Sequence, residues 1–232
     1  MIFEQKVDSK RPAEARILLF DLDGTLTDSG EGISRSVQYA LKKCGIDEAD
    51  FTKLRRFVGP PLLWSFEHFY GMEPSKAEEA VRYYRERYAP IGIYENRVYK
   101  GIPEMLRALK AEGKCLVTAS SKPEVFVRRV LSSLEILDCF DEIVGASMDG
   151  QLSEKADIIR EVLRRLSITE EKKAGMLMIG DRQFDIEGAK AVGVRSVGVL
   201  YGYAEPGELK EAGADYIAAT VSDLRALLSK GK

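Results

Sequence analysis

The chain of 232 residues has little cysteine, almost no net charge and no long apolar run. Its three cysteines, Cys44, Cys115 and Cys139, are odd in number, far apart and without a CxxC pair. They argue against a disulfide framework or a zinc site. Two of them sit inside apolar runs as small hydrophobes, and Cys44 lies near a helix end. A net charge of -2, with acids and bases mixed along the chain, excludes a nucleic-acid or membrane surface driven by bulk charge. No window approaches the roughly 20 apolar residues of a membrane helix. The first fifteen residues lack the apolar stretch of a signal peptide, so a cytoplasmic location is expected, with the first dozen residues frayed. Internal repeats and low-complexity runs are also missing.

What remains is ordinary globular material, 45% hydrophobic and 31% charged. The length allows one large domain or two modest ones. Short, near-continuous apolar runs occur at 16–23, 114–121, 142–147, 175–181 and 195–201, with a weaker one at 215–219. Strands apolar on both faces mark a parallel sheet covered by helices. Amphipathic helical patterns alternate with them: Ile102–Glu112, Pro123–Leu134, Ser153–Leu166, Asp185–Ala191 and Ser222–Leu228. The spacing predicts a doubly wound, Rossmann-like α/β core. Between about Glu31 and Tyr99 no strand is predicted. Helical patterns at Ile33–Lys43, Phe51–Phe57, Leu62–Tyr70 and Lys76–Tyr88 form an all-helical insert, with its aromatics read as its own core. The expected division is an N-terminal extension, 1–14, a core of 15–29 and 100–232, and a helical cap domain, 30–99.

Three of the predicted strands end in residues able to do chemistry, and in doubly wound sheets ligands bind at those ends. The first ends in Asp21-Leu22-Asp23-Gly24-Thr25, the second in Thr118-Ala119-Ser120-Ser121-Lys122, and a third in Gly180-Asp181 with Asp185 four residues on. Residues two apart on a strand share a face, so Asp21 and Asp23 would crowd like charges. A cation between them, or protonation of one, relieves this. DLDGT alone also suits a turn with Asp as a cap. Four acids at two strand ends point to a hard cation such as Mg²⁺.

With these residues in view, the chain resembles the haloacid dehalogenase superfamily. Its first motif, DxDGT, is matched at residues 21–25, and its second by Ser120. Lys155 resembles the third motif, and Gly180-Asp181-Arg182-Gln183-Phe184-Asp185 matches GDxxxD. The motifs come in the family's order over nearly the whole chain from Arg16. The insert falls where phosphoglycolate-phosphatase-like members carry a helical cap. Val58-Gly59-Pro60-Pro61-Leu62 and the stretch from Tyr94 to Gly101 are similar to them too.

The resemblance implies a Mg²⁺-dependent phosphatase working through an aspartyl-phosphate. Asp21 would be the nucleophile and a metal ligand. Asp23 would be the general acid and base, its backbone carbonyl also on the metal. Ser120, the amide of Ser121 and Lys155 would hold the phosphate. Asp181 would bind the metal, and Asp185 would reach it through water or orient Lys155. Thr25 and Thr27 are expected to bond local backbone, and Lys122 either reaches the site mouth or caps the next helix.

Relatives with other chemistry differ in these residues. Dehalogenases lack the second acid of DxD, phosphonatases depart from DxD, and hexose-phosphate mutases place a histidine in the first cap helix. The single histidine here, His68, lies beyond that region and is read as a core or surface residue. A non-catalytic binding module on this fold would have lost a motif carboxylate. The expected partner is a small phosphoester, with no nucleic acid and no membrane, bound by a monomer or homodimer. 2-Phosphoglycolate comes first, its carboxylate suited to Arg55 and Arg56. A 5'-nucleotidase-like role, with a base stacked on cap aromatics, and a generalist sugar-phosphate phosphatase are the alternatives.

Overall fold

The computed structural model describes residues 11–229. Among them, no helix is long and apolar enough to cross a membrane. The eight strands are β1 (Ile17–Phe20), β2 (Thr27–Asp28), β3 (Arg97–Val98), β4 (Cys115–Pro123), β5 (Glu142–Ala146), β6 (Met176–Gly180), β7 (Arg195–Val199) and β8 (Tyr216–Ala218). Six form one parallel sheet in the order β5-β4-β1-β6-β7-β8. The predicted doubly wound α/β architecture is therefore the observed one. The short strand β1 lies inside the sheet, paired with β4 on one side and β6 on the other.

Its four residues show why a continuous apolar run was needed. Leu18, Leu19 and Phe20 are all fully buried. Alternation sends Leu18 and Phe20 into one core and Leu19 into another. The first core is closed by α5 (Ile102–Ala111), α6 (Glu124–Ser133) and α11 (Val221–Leu228). The second is closed by α7 (Lys155–Arg165) and α9 (Gln183–Ala191). Burying each such side chain stabilises the fold by roughly 1.5–3 kcal/mol. The remaining core helices are the short α8 (Glu170–Lys173) and α10 (Glu208–Glu211).

Four helices intervene between β2 and β3: α1 (Gly30–Lys43), α2 (Phe51–Arg55), α3 (Leu62–Tyr70) and α4 (Pro74–Tyr88). Phe57 anchors them, edge-on to Phe66 at 5.0 Å and to Phe69 at 5.3 Å. Two expectations need correction here. The insert does end in a strand, because β3 pairs antiparallel with β2, Thr27 opposite Val98 and Asp28 opposite Arg97. A pair of residues is too short to show alternation; the pairing arises where entry and exit of the insert meet. Trp64 does not join the insert's core. It stacks on the exposed His68 at 4.4 Å and meets Phe184 of α9 edge-on at 5.4 Å.

The expectation of a frayed start falls mostly outside the described residues. Within them, Pro12–Glu14 forms a 3₁₀ turn, and Lys114 donates to the carbonyls of Ala13 and Ala15, both at 2.8 Å. The three cysteines are free thiols, with Cys139 buried and the other two half-buried.

Candidate active site

The carboxyl ends of β1, β4 and β6 meet at one crevice, and each supplies a buried charged side chain. From β1 comes Asp21, whose N–H donates to Ile179 of β6 at 2.9 Å. From β6 comes Asp181, fully buried, followed by Asp185 in the first turn of α9. Asp21, Asp181 and Asp185 each offer an oxygen, and the three oxygens lie within 4.8 Å of one another. Glycines make this approach possible. Gly24 adopts φ +87°, and a Cβ there would stand 2.1 Å from Asp181 Oδ2. A Cβ at Gly180 would stand 2.2 Å from Asp185 Cγ.

Lys155, the first residue of α7, reaches into this cluster. Its Nζ lies 2.9 Å from Asp21 Oδ1 and 2.6 Å from Asp185 Oδ1, and donates to the Ala119 carbonyl at 2.8 Å. Burial opposes its charge, but Asp185 and Asp21 outweigh that and hold its pKa above the ordinary value. One ammonium does not neutralise three carboxylates. Burial pushes Asp21 up to about 6 against the pull of Lys155, with Asp185 and Asp23 adding to the rise. Burial, Asp185 and Asp21 raise Asp181 as well. An all-oxygen, anionic, buried site of this kind fits a hard divalent cation.

Asp23 bears on Asp21 electrostatically, as the strand spacing suggested, but from a turn and not from the strand. The chain leaves the strand after Phe20, and Asp23 instead bridges to Thr27 in the turn. Its Oδ2 turns to Lys122 Nζ at 2.6 Å, while its Oδ1 has no hydrogen-bond partner. The Asp23 carboxylate therefore stands outside the three-acid cluster. Lys122 is buried and also lies over the Tyr88 ring, 4.7 Å from its centroid. It reaches the site instead of only capping α6. Ser120 is buried and its hydroxyl accepts from the Lys122 N–H at 3.3 Å. The Ser121 hydroxyl is buried without a partner. Thr27 bonds local backbone, the Leu22 carbonyl at 3.3 Å, as expected. Thr25 does not: its hydroxyl donates to Asp181 Oδ1 at 3.1 Å, fixing that carboxylate together with the N–H of Tyr203 at 2.8 Å.

Asp23, Ser121 and Lys122 form part of the wall of a cavity of about 510 Å³. The opposite wall comes from the insert, notably Leu62, Trp64, Tyr84 and Tyr88. Tyr84 and Tyr88 stack at 5.1 Å, one helical turn apart on α4. Both belong to the buried core, as the sequence reading took them; their i, i+4 spacing on a helix carries no hint that they also line this cavity. Arg55 and Arg56 are not in this cavity. They are exposed, line a separate groove, and Arg56 lies over the Phe69 ring at 4.3 Å. Arg182, unremarked in the sequence, ties the insert to the core. Its Nη1 donates to the Val58 carbonyl at 2.6 Å while Nε pairs with Glu208 at 2.9 Å.

Buried acids, an ammonium and a cavity lie together at this switch point, an arrangement chemically able to handle a phosphoryl group. Residues 18–199 match the family model of haloacid dehalogenase-like hydrolases, and the chain belongs to that family. Among curated relatives, a 5'-nucleotidase from Pseudomonas aeruginosa is 45% identical over 91% of this chain and 94% of its own. The tyrosine-protein kinase PtkA of Mycobacterium tuberculosis is 36% identical over 94% of this chain and 74% of its own. A phosphoglycolate phosphatase from Aquifex aeolicus is 32% identical over 92% and 96%. The crystal structure of a predicted phosphatase from Clostridium acetobutylicum superposes with a TM-score of 0.88, at 45% identity over 91% and 97% of the two chains. The chain is a phosphatase of the phosphoglycolate-phosphatase-like branch.

Proposed function

We propose that Asp21 attacks the phosphorus of a small phosphomonoester, and that the favoured substrate is a nucleoside 5'-monophosphate. The observation that carries the chemistry is the pair of carboxylates with divided environments. Asp21 sits between Lys155 and two further acids, whereas Asp23 faces the cavity with one oxygen unpartnered. An ionised Asp21 needs no base to activate it. It forms the O–P bond as the ester oxygen leaves, and Asp23 delivers a proton to that alkoxide. Asp23 then takes a proton from water, which attacks the aspartyl-phosphate and restores Asp21. Proton transfer of this kind contributes about 10²–10⁴-fold. Ser120, the Ser121 amide and Lys155 hold the equatorial oxygens, supplying the positioning and charge that phosphoryl transfer demands. Mg²⁺ held by Asp21, Asp181 and the Asp23 carbonyl, with Asp185 behind, would neutralise charge on the transferring group. Residues 30–99 act in this reading as the cap domain over the core of 15–29 and 100–232.

The nucleotide reading is supported by the cavity. Its volume and its Tyr84, Tyr88 and Trp64 walls suit a nucleoside better than a two-carbon acid. The carboxylate partners first considered for 2-phosphoglycolate, Arg55 and Arg56, line another groove. The 45% identical relative is named a 5'-nucleotidase. 2-Phosphoglycolate stands second, supported by the 32% identical relative. A panel of nucleoside monophosphates, 2-phosphoglycolate and sugar phosphates in Mg²⁺, ranked by kcat/KM, separates them. Nucleotides at the head of the ranking are expected; 2-phosphoglycolate at the head replaces this reading with the second.

A further inference from the structure

Buried polar atoms without partners are costly, roughly 1–3 kcal/mol each, and folds keep few of them. Seven such side-chain atoms occur among the described residues, on six residues. Asp23, Ser121 and Tyr88 all line the same cavity, while Ser29, Ser34 and Asn96 do not. Asp23 is accounted for by the proton transfer above, and the Ser121 hydroxyl belongs to the residue whose amide holds the phosphate. Tyr88 has neither role. It is 1% exposed, stacked on Tyr84, edge-on to Phe126 at 5.7 Å, and beneath the Lys122 ammonium. The ring is thus held by three neighbours, and its Oη feels the charge of Asp23. Tyr88 and Asp23 line one cavity and share Lys122 as a neighbour, whose Nζ lies 4.7 Å from the Tyr88 ring centroid and 2.6 Å from Asp23 Oδ2.

We propose that Tyr88 reads the leaving group: its hydroxyl hydrogen-bonds an oxygen that the departing alcohol carries close to its ester oxygen. The inference rests on the phosphatase reading of Asp21 and Asp23, and it adds the substrate class. The alcohol must carry a hydroxyl, ring oxygen or carboxylate near the reacting end, as a ribose 5'-phosphate does. Phosphate esters of plain hydrocarbon or phenyl groups gain nothing from it. A site built to bond a substrate oxygen discriminates strongly against analogues that lack it, because the protein atom is then left buried and unpaired.

The test is Tyr88→Phe, which removes one oxygen and keeps the ring contacts. Its kcat/KM is compared with wild type on two substrates: phenyl phosphate, and whichever oxygen-bearing substrate the wild type turns over best. The second choice keeps the test valid even if the nucleotide reading fails. The expected result is a loss of about tenfold on the oxygen-bearing substrate, with phenyl phosphate changed by less than about twofold. The melting temperature should hold or rise, since the buried hydroxyl has no protein partner to lose. Equal losses on both substrates, or no loss on either, overturn the proposal. So does a lowered melting temperature accompanying equal losses, which would mark Tyr88 as structural.

Discussion

Lys155 is the residue on which the electrostatics of the site turn. Its ammonium faces Asp21, Asp185 and the Ala119 carbonyl inside the protein. Removing one member of a buried ionic cluster leaves uncompensated charge and costs roughly 3–5 kcal/mol. Lys155→Met is therefore expected to lower the melting temperature of the metal-free protein by several degrees. The pH dependence has a definite sign. Asp21 titrates at about 6 in the fold against 3.8 as a free carboxyl, so folding favours its protonated form. That contribution is fully present below 3.8 and is lost as pH rises through about 6. Lys155 holds the Asp21 pKa down, so without it Asp21 titrates higher still, and the Lys155→Met defect should be smallest below about 6 and grow as pH rises past it. Thermal melts in chelator across that range measure it. The same sign governs the cation. Added Mg²⁺ should raise the melting temperature more above 6 than below, because protons compete for the same oxygens. An equal gain at both ends would contradict carboxylate ligation.

At the scale of elements, the turn after β1 and the N-terminus of α9 position the site. Gly24 combines a left-handed φ of +87° with contact to Asp181. Gly24→Ala should destabilise by about 1 kcal/mol or more from backbone strain alone. It should also raise the Mg²⁺ concentration needed for half-maximal activity, since the added methyl displaces a carboxylate of the cluster. Arg182 links α9 to the loop at Val58 and Gly59, whose absent Cβ leaves room for the arginine stem. In Arg182→Ala, amide exchange at residues 58 to 63 should quicken while that of β1 stays unchanged. The sheet elements were readable from sequence because their strands are buried on both faces, which forces continuous apolar runs such as Ile17–Phe20. β2 and β3 were not, because each is two residues long and owes its pairing to chain ends brought together by the insert. The like-charge effect of Asp23 on Asp21 was expected from sequence and is present, but its route was not: the chain leaves the strand after Phe20 and Asp23 sits in the turn.

Across the whole molecule, sequence distance and spatial role part company in a regular way. Asp21, Ser120, Lys155, Asp181 and Asp185 come from four separate stretches, yet all lie in the carboxyl-terminal part of a parallel strand, just after one, or in the first turn of the helix that follows. That regularity of doubly wound sheets made the motif residues legible. What stayed hidden were contacts between the insert and the core: Tyr88 over the cavity, Trp64 against Phe184, and Lys122 turned to Asp23. Such contacts depend on how a helical layer docks, which no local periodicity encodes. Arg55 and Arg56 show the converse, a basic pair near in sequence to insert motifs but facing away from the chemistry.

The most direct test of the central claim is turnover by Asp21→Asn in Mg²⁺, on the best substrate of the panel. The amide keeps the shape of the carboxylate and removes both the nucleophile and a cation ligand. The expected outcome is a fall in kcat on the order of 10³-fold or more, with a melting temperature no lower than that of the wild type. Turnover within a few-fold of wild type would contradict phosphorylation of Asp21.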